Sequence, residues 1–364
     1  MPRPEVAATA ATLHRAFGSG TFTSTQAATN GVAPHRLWSA TRAGLIVRLE
    51  QGRYRVAGGQ GADAGVPPGL TAQAAARVHD RIVRLALEGT VAALAPASAV
   101  SAWELPTYQV DAPEHPVLWV PRHSTVTTGV RGGVRLARRD IDARRIVIGP
   151  GQVPMTDPLL TAVHLAALPG LSLAARLVVL HGGLRRQWEW IEAGAGRFDH
   201  RDMARDMADA RIQQILREEL ADVLAHADLS ARGRAGASVA LPRSVRRRLQ
   251  EAVGILDVRI ETPLECLSWA CFHEVGMVLP TPQALVRGAS GVLWRVDFLF
   301  EGRVIGECDG AVKYHGGYTA WQEKRRQSDL EAEGYAFVRW TWKELHSDPD
   351  RILARIALAL ERKR

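Results

Sequence analysis

Cysteine is scarce in this chain, with three among 364 residues: Cys266, Cys271 and Cys308. An odd number argues against a disulfide framework, and no two of them have the spacing of a zinc-finger pair. Each lies among apolar residues. We therefore expect buried thiols, and the pattern excludes a small domain stapled by disulfides.

Long apolar runs are missing as well. The most apolar stretch, from Leu171 to Leu184, is interrupted by Arg176 and is too short to span a bilayer. The N-terminus has an early proline and an acidic residue, without the apolar segment typical of a signal peptide. The sequence therefore predicts a cytoplasmic protein that makes no membrane contact.

Charge is only moderately unbalanced. Lysine and arginine number 46 against 38 aspartates and glutamates, which gives a formal net charge of +8. The excess is mostly arginine, whose planar guanidinium group suits contacts to phosphate. This balance is compatible with a nucleic-acid partner but does not demonstrate one. With 46% hydrophobic residues, the chain can bury the cores of two or three domains.

The clearest chemical signal is a predicted β-hairpin over residues 293–309, with its turn at Glu301-Gly302. Alternate side chains of an extended strand share a face, so Glu307 and Asp309 point the same way. Asp297 lies on the preceding strand, which brings three acidic groups to one sheet face. They repel each other unless a cation neutralises them, and such hard oxygen ligands suit Mg²⁺ or Mn²⁺.

Other polar residues flank this hairpin. Lys313 offers a cation for a phosphate group, and His315 offers a proton-transfer group. A predicted helix with proline in its first turn carries Glu265, a candidate fourth carboxylate. A helix over 319–333 and a strand at 337–340 complete the segment. Metal-assisted phosphodiester cleavage uses carboxylates of this kind to activate water and to stabilise charge on the scissile phosphate.

The segment from about Glu261 to Leu345 resembles the restriction-endonuclease-like domains related to the very-short-patch-repair endonucleases. The resemblance covers roughly a quarter of the chain and implies a metal-dependent nuclease domain of α/β type. The residues that carry it, in chain order, are Glu265, Asp297, Glu307, Asp309, Gly310, His315, Arg326, Leu330, Gly334 and Arg339.

The leading hypothesis from this resemblance is a Mg²⁺- or Mn²⁺-dependent DNA endonuclease. Asp297 and Glu307 would bind the metal ion. Asp309 would complete the metal shell or orient the attacking water. Glu265 would be an outer-shell ligand or a ligand of a second metal ion.

One position departs from the pattern of the broader nuclease superfamily. That pattern has an acidic residue, any residue and then lysine on the second hairpin strand, where this chain has Asp309. Lys313 could supply the charge from a new position, or His315 could act as in the repair enzymes. If neither does, the domain is a nuclease fold that binds DNA without cutting it. An exposed strand edge kept soluble by charge is disfavoured, because the flanking residues are apolar.

Residues 1–58 are predicted to form a winged helix. Three helices are expected, the first over about Pro4–Phe17, the second with Ser24 as its N-cap and the third over Pro34–Ala43. The hairpin strands Ile46–Leu49 and Arg53–Val56 follow. The last helix of such a module can enter the major groove, and a basic hairpin can track the phosphate backbone. The candidate DNA contacts are Arg36, Ser39, Arg42, Arg48, Arg53 and Arg55.

This N-terminal module is similar to the first domain of AbiEi-type antitoxins, which belong to type IV toxin–antitoxin systems. The similarity implies a defence role or the regulation of a toxin operon, with a cognate toxin as a further partner. Winged helices also serve as protein-contact modules, so a role without DNA stays open. The matching runs are Phe22-Thr23-Ser24, Gln26-Ala27, Arg36-Leu37, Gly44-Leu45-Ile46, Arg48-Leu49 and Gly52-Arg53-Tyr54.

The whole chain is thus predicted to be a multidomain α/β protein. Residues 67–227 form a mixed α/β middle domain, which resembles the second part of actinobacterial AbiEi-like proteins. Residues 228–250 form a basic linker, and residues 251–364 form the nuclease domain. The linker run Arg246-Arg247-Arg248 either grips phosphates or forms the solvated face of a helix.

A function of another class competes with the nuclease hypothesis. In this alternative the protein is a non-catalytic transcriptional regulator of antitoxin type, and its C-terminal fold adds affinity or forms a homodimer. RNA ranks lower as a substrate, because the sequence offers no aromatic platform of the RNA-recognition type. DNA is the expected partner in both leading hypotheses.

Overall fold

A computed structural model defines the fold. It describes residues 21–34, 46–50, 53–56, 69–194, 202–229, 231–232, 238–309 and 317–362, with Ala8, Thr9, Thr12, Leu13, Ala16, Arg36, Leu37, Ala40 and Asp199. The protein is a mixed α/β chain that divides into two compact units built from interleaved segments. The first unit contains Met1–Leu105, Asp111–Leu165 and Leu220–Ala240, and the second contains Pro106–Val110, Ala166–Glu219 and Leu241–Arg364.

These units differ from the linear succession of domains that the sequence predicts. The predicted middle domain, 67–227, contributes segments to both units. Sequence order alone does not reveal such interleaving, because it depends on contacts between residues that are far apart along the chain. The predicted domain boundaries stay a prediction.

The N-terminal part of the first unit contains a small antiparallel sheet. Its strands are β1 (Thr21–Thr23), β2 (Ile46–Glu50) and β3 (Arg53–Val56), with β3 in the centre. The predicted hairpin of β2 and β3 is confirmed. A short helix, α1 (Ser24–Thr29), follows β1. The core of this part consists of Leu13, Phe22, Ala27, Val32, Leu37, Ala40 and Ile46, with Tyr54 packed against it.

The N-cap of α1 is Thr23 and not the predicted Ser24. The Thr23 hydroxyl accepts a hydrogen bond from the Gln26 backbone, and the Gln26 side chain accepts one from the Thr23 backbone. This reciprocal capping box satisfies two donors at the helix start. The prediction failed by one residue because Thr and Ser are both good N-caps, and only Thr23 has a partner three residues later that can return the hydrogen bond.

The rest of the first unit is built on a six-stranded mixed sheet in the order β6-β7-β5-β4-β9-β8. The pairs β5–β7 and β4–β9 are parallel, and the other neighbours are antiparallel. The elements are α2 (Ala72–Leu87), β4 (Ala93–Leu94), α3 (Pro96–Ala102), β5 (Val117–Pro121), β6 (Gly129–Arg131), β7 (Val134–Arg139), β8 (Ile146–Ile148) and β9 (Pro154–Thr156), with 3₁₀ turns at Ala143–Arg145 and Pro150–Gln152.

A helical stretch follows, and its last two helices are separated at Asp209. The Asp209 carboxylate accepts hydrogen bonds from the backbones of Arg211 and Ile212, so it caps a new helix. The elements are α4 (Pro158–Ala166), α5 (Leu173–Gly194), α6 (Met203–Ala208), α7 (Ala210–His226), β10 (Ala231–Arg232) and β11 (Ser238–Val239).

The end of the predicted linker is helical. Helix α8 (Arg243–Gly254) buries Val245, Leu249 and Ala252 on one side. The run Arg246-Arg247-Arg248 is exposed. The run lies on an exposed helix face, and its contact with phosphates stays a prediction.

The C-terminal part of the second unit is a four-stranded sheet with helices. The sheet order is β12-β13-β14-β15, and only the last pair is parallel. The predicted hairpin, its two flanking helices and the returning strand are confirmed. The elements are α9 (Pro263–Glu274), β12 (Thr281–Arg287), β13 (Leu293–Phe300), β14 (Val304–Asp309), α10 (Gly317–Ala332), β15 (Ala336–Thr341), α11 (Trp342–Ser347) and α12 (Pro349–Arg362).

An aromatic cluster joins α9 to this sheet. The ring of Phe298 stacks on Trp340 and on Trp269, and the ring of Phe272 meets both Phe298 and Trp340 edge-on. Gly306 on β14 leaves room for these rings, because a Cβ atom there would lie 2.8 Å from both Phe300 and Trp340. The described residues include no helix that combines the length and the apolar character needed to cross a membrane.

Substitution of Gly306 by alanine should destabilise the second unit. The added methyl group must displace well-packed rings, which costs about 1–3 kcal/mol in the free energy of unfolding. Gly254→Ala is the matched control, because nothing lies within 4 Å of its Cβ position. Denaturant unfolding of both variants measures the difference, and equal stability of the two would contradict this packing.

Candidate active site

Asp297 links the two strands that carry the predicted acidic residues. The backbone pairing of β13 with β14 includes Phe298 and Gly306. Beyond this pair, the side chain of Asp297 connects the two strands. The backbone nitrogen of Cys308 donates to Asp297 Oδ2 at 2.8 Å. The carboxylate of Asp297 is therefore fixed against β14, between the positions of Glu307 and Asp309.

The sheet is irregular at Asp297. The register of β12 and β13 includes the pairs Pro282–Phe298 and Ala284–Val296 and skips the position of Gln283 and Asp297 between them. Gln283 has a φ angle of 51°, a left-handed conformation that is uncommon for a residue with a side chain. Strained backbone of this kind clusters at functional sites, although it does not identify a function by itself.

Glu265 lies in the first turn of α9 and is 2% exposed. Its carboxylate accepts hydrogen bonds from the Glu261 backbone at 3.0 Å, the Thr262 hydroxyl at 2.8 Å and the Gln283 amide at 2.8 Å. Burial, reinforced by the negative charge of Asp297, nevertheless raises the pKa of Glu265 to about 7. Glu265 and Asp297 therefore interact electrostatically.

Glu307 is 8% exposed, and its carboxylate also interacts electrostatically with Asp297. Burial, followed by repulsion from Asp297, raises the pKa of Glu307 to about 7. Arg326 on α10 opposes this shift, since its two terminal nitrogens donate to Glu307 Oε1 at 3.2 and 2.7 Å. Asp297 is thus the common neighbour of two buried carboxylates, and we call Glu265, Asp297 and Glu307 the carboxylate cluster.

Asp309 differs from the cluster in its surroundings. Its side chain is 44% exposed, and its carboxylate lies 3.5 Å from Arg339 Nη1. Arg339 also donates to Glu323 at 2.8 Å and to Gln327 at 3.3 Å. Asp309 is therefore partly exposed to solvent, and it shares Arg339 with Glu323 and Gln327.

Several predicted residues lie outside the described part of the chain. Lys313 and His315 do, and so do Ser39 and Arg42 of the N-terminal module. Arg36 is described and exposed. For Arg48, Arg53 and Arg55 the structure describes only the strand backbone.

Three charged residues beside the cluster were not predicted as site residues. Arg295 on β13 donates to Glu261 at 2.6 Å, and Arg185 on α5 lies 3.8 Å from the same carboxylate. Burial lowers the pKa of Arg185, while Glu261 and Glu265 oppose that shift. No local sequence pattern points to Arg185. Helix α5 lies far before Glu261 in the chain, and only tertiary packing brings Arg185 close to Glu261.

The donor chemistry of the cluster fits a magnesium or manganese ion. Carboxylate oxygens are the ligands such ions prefer, and Mg²⁺ is commonly held by one or two carboxylates together with waters and substrate phosphates. Asp297 and Glu307 would be those two carboxylates. Across the described residues, no three Asp, Glu, His or Cys side chains are arranged to hold a metal ion by themselves. Two protein ligands completed by water or phosphate are compatible with that finding.

The raised pKa of Glu265 predicts an unusual pH dependence. An unfolded glutamate titrates near 4.3, so between about pH 4.5 and 7 the folded chain holds a proton that the unfolded chain has lost. Stability should fall as pH rises through this window. Glu265→Gln removes this titration and should be more stable than wild type at pH 8 without divalent cations, by on the order of 2 kcal/mol, and equally stable near pH 4.

Denaturant unfolding across this pH range, with Glu344→Gln as control, tests the prediction. Hydrogen bonds from Thr341 lower the pKa of Glu344, so its contribution to stability is present at neutral pH and is lost as pH falls. The control should therefore be less stable than wild type at pH 8. A Glu265→Gln variant that is no more stable than wild type at pH 8 would contradict the electrostatic description.

Comparison with known proteins gives few matches. No protein-family model matches the chain. Two proteins of Mycobacterium tuberculosis, uncharacterized protein MT2308 of strain CDC 1551 / Oshkosh and uncharacterized protein Rv2248 of strain ATCC 25618 / H37Rv, are each 26% identical to it over 195 residues. The match covers 53% of this chain and 67% of each relative. This identity is too low to assign the chain to a family.

One solved structure is similar over much of the chain. The crystal structure of the RV2827C protein from Mycobacterium tuberculosis is 14% identical, with a TM-score of 0.34. The alignment covers 78% of this chain and 86% of that chain. A likeness at this level supports no inference about function.

Proposed function

We propose that the protein is a metal-dependent DNA endonuclease with a winged-helix DNA-binding module. The observation that carries the proposal is the carboxylate cluster. Glu265 and Glu307 are buried, and both interact with Asp297, which is held by the backbone of β14. Buried like charges are costly, and a divalent cation would offset that cost.

The residues of the cluster have distinct roles in this proposal. Asp297 and Glu307 would hold the cation. When bound, the cation would activate a water molecule and stabilise the negative charge on the scissile phosphate. Glu265 accepts a hydrogen bond from Gln283 and interacts electrostatically with Asp297, so it would be an outer-shell ligand. Asp309, which is half exposed, would orient the attacking water.

The N-terminal module supports a DNA partner. The order of β1, α1 and the β2–β3 hairpin, with β1 paired to β3, agrees with a winged helix. Arg53 and Arg55 are two residues apart on β3, on either side of Tyr54, which packs on the core. A basic hairpin of this kind can follow a phosphate backbone.

A second function, that of a non-catalytic DNA-binding regulator, has one observation in its favour. Arg326 donates two hydrogen bonds to Glu307, and both side chains are largely buried. An internal guanidinium group can neutralise a carboxylate as a metal ion does. On this alternative Arg326 replaces the metal ion, and the C-terminal fold serves DNA binding or assembly with a partner such as a toxin or a second copy.

Cleavage assays distinguish the two functions. The full-length protein is incubated with duplex, mismatched, nicked and single-stranded DNA in Mg²⁺ or Mn²⁺, beside Asp297→Ala. The endonuclease proposal expects metal-dependent cutting that falls by at least about a hundredfold in Asp297→Ala, since an essential ligand is lost. DNA affinity, measured in EDTA, should be unchanged or tighter in the variant.

Asp350→Ala serves as the matched control, because it removes an exposed carboxylate from the first turn of α12. This control should cut like wild type. DNA binding without cutting by the wild-type protein, on every substrate and with either metal, would refute the endonuclease proposal and favour the regulator.

The proposed wing contacts give a prediction for salt dependence. Each phosphate contact contributes roughly 0.9 to the slope of log K against log salt concentration. Arg53→Gln/Arg55→Gln should therefore weaken duplex binding and reduce the slope by about two. Fluorescence anisotropy at several salt concentrations measures the slope. Arg211→Gln, an exposed arginine at the start of α7, should leave the slope nearly unchanged, and an equal effect of both changes would contradict a specific wing contact.

A further inference from the structure

A pocket of about 200 Å³ in the first unit has a lining dominated by arginine. One wall is a face of α2, and the other is the hairpin of β6 and β7. The lining residues include Arg77, Asp80, Arg81 and Arg84 from the helix and Arg131 and Gly132 from the hairpin. Neither leading hypothesis from the sequence uses any of these residues.

The charges in the pocket do not balance. Arg84 pairs with Asp80 at 2.8 Å, which accounts for the one carboxylate in the lining. No carboxylate among the described residues pairs with Arg77, Arg81 or Arg131. The buried Nε atoms of Arg77 and Arg81 also have no hydrogen-bond acceptor within the described structure. Buried donors without acceptors are costly, so an acceptor that carries negative charge would stabilise the pocket.

The pocket also brings like charges together. Arg77 and Arg81 are four residues apart on α2, so they are neighbours on one helix face, and like charges at this spacing destabilise a helix. The turn of the hairpin approaches them closely. A Cβ atom on Gly133 would stand 2.6 Å from Arg77 Nη1, whereas nothing lies within 4 Å of the Cβ position of Gly132.

We propose that this pocket binds a phosphate monoester, the terminal phosphate of a nucleic-acid strand or of a free nucleotide. Guanidinium groups donate in pairs to phosphate oxygens, and three unpaired arginines suit a dianion. The pocket is smaller than the roughly 300–1,000 Å³ of sites that enclose a drug-sized ligand. It therefore fits a phosphate group at a chain end, while the remainder of the ligand lies outside. The proposal does not depend on the carboxylate cluster, whose residues all belong to the second unit.

Binding to labelled strands tests the proposal. The full-length protein, in EDTA to prevent cleavage, is titrated into a single-stranded oligonucleotide with a fluorophore at its 3′ end and either a phosphate or a hydroxyl group at its 5′ end. The phosphorylated strand should bind roughly ten- to a hundredfold more tightly, the range expected for charged hydrogen bonds. Arg81→Gln should abolish this preference. Arg135→Gln, an exposed arginine on β7 outside the lining, should retain it.

A second pair of variants controls for folding. Gly133→Ala and Gly129→Ala both place a side chain at a positive φ angle, but only the first displaces Arg77, and Gly129 lies outside the lining. The preference for the phosphorylated strand should fall in Gly133→Ala and persist in Gly129→Ala. Adenosine 5′-monophosphate identifies the source of the phosphate. If it competes as well as the phosphorylated strand, the ligand is a free nucleotide, and if it competes weakly, the ligand is a strand end.

Two results would overturn the proposal. One is equal binding of both strands by wild-type protein together with no competition by adenosine 5′-monophosphate. The other is a loss of the preference in Arg135→Gln that equals the loss in Arg81→Gln, because the effect would then reflect overall charge. Neither result bears on metal-dependent cleavage, so this proposal and the endonuclease proposal can fail separately.

Discussion

Electrostatic repulsion between buried carboxylates is the constraint around which the C-terminal sheet is arranged. Glu265 and Glu307 are both withdrawn from water, and both lie within range of the charge on Asp297. A folded chain gains nothing from this proximity by itself, since each ionised group raises the cost of ionising the next. Proteins keep such arrangements where function requires them, although ion-pair networks also perturb pKa values.

The fold provides hydrogen-bond donors that stabilise the buried carboxylates. The helix start at Thr262 offers hydrogen-bond donors to Glu265, the backbone of Cys308 offers one to Asp297, and Arg326 offers two to Glu307. Each carboxylate is thus held by a different element. A cation that joined Asp297 to Glu307 would have to compete with Arg326 for one oxygen. In a working nuclease the metal ion would win this competition. In a non-catalytic domain the guanidinium group of Arg326 would neutralise Glu307 instead.

Local patterns predicted the elements that carry the cluster. The hairpin of β13 and β14 and the start of α9 follow from alternation, a turn with glycine, and proline in the first turn of the helix. The face shared by Glu307 and Asp309 also follows from alternation, yet the two differ in burial, because Glu307 is covered by α10 while Asp309 lies near the end of the strand. The left-handed Gln283 beside Asp297 has no sequence signal, since glutamine rarely adopts that conformation.

Features that depend on distant contacts were not predictable from the sequence. The strands β4, β6 and β9 are two or three residues long, too short to show a period, and they exist because neighbouring strands pair with them. The position of Arg185 beside Glu261 depends on the packing of α5, far away in the chain. The arginine pocket likewise needs α2 and the β6–β7 hairpin together, although the spacing of Arg77, Arg81 and Arg84 already places three positive charges on one helix face.

Binding of Mn²⁺ to the full-length protein, followed by electron paramagnetic resonance of the free ion, tests most directly whether the carboxylate cluster is a cation site. We expect saturable binding by wild-type protein near neutral pH and its loss in Asp297→Asn, which keeps the shape of the side chain and removes its charge. Asp350→Asn should bind like wild type. No saturable binding by wild-type protein, or equal binding by wild type and Asp297→Asn, would contradict a cation site at the carboxylate cluster.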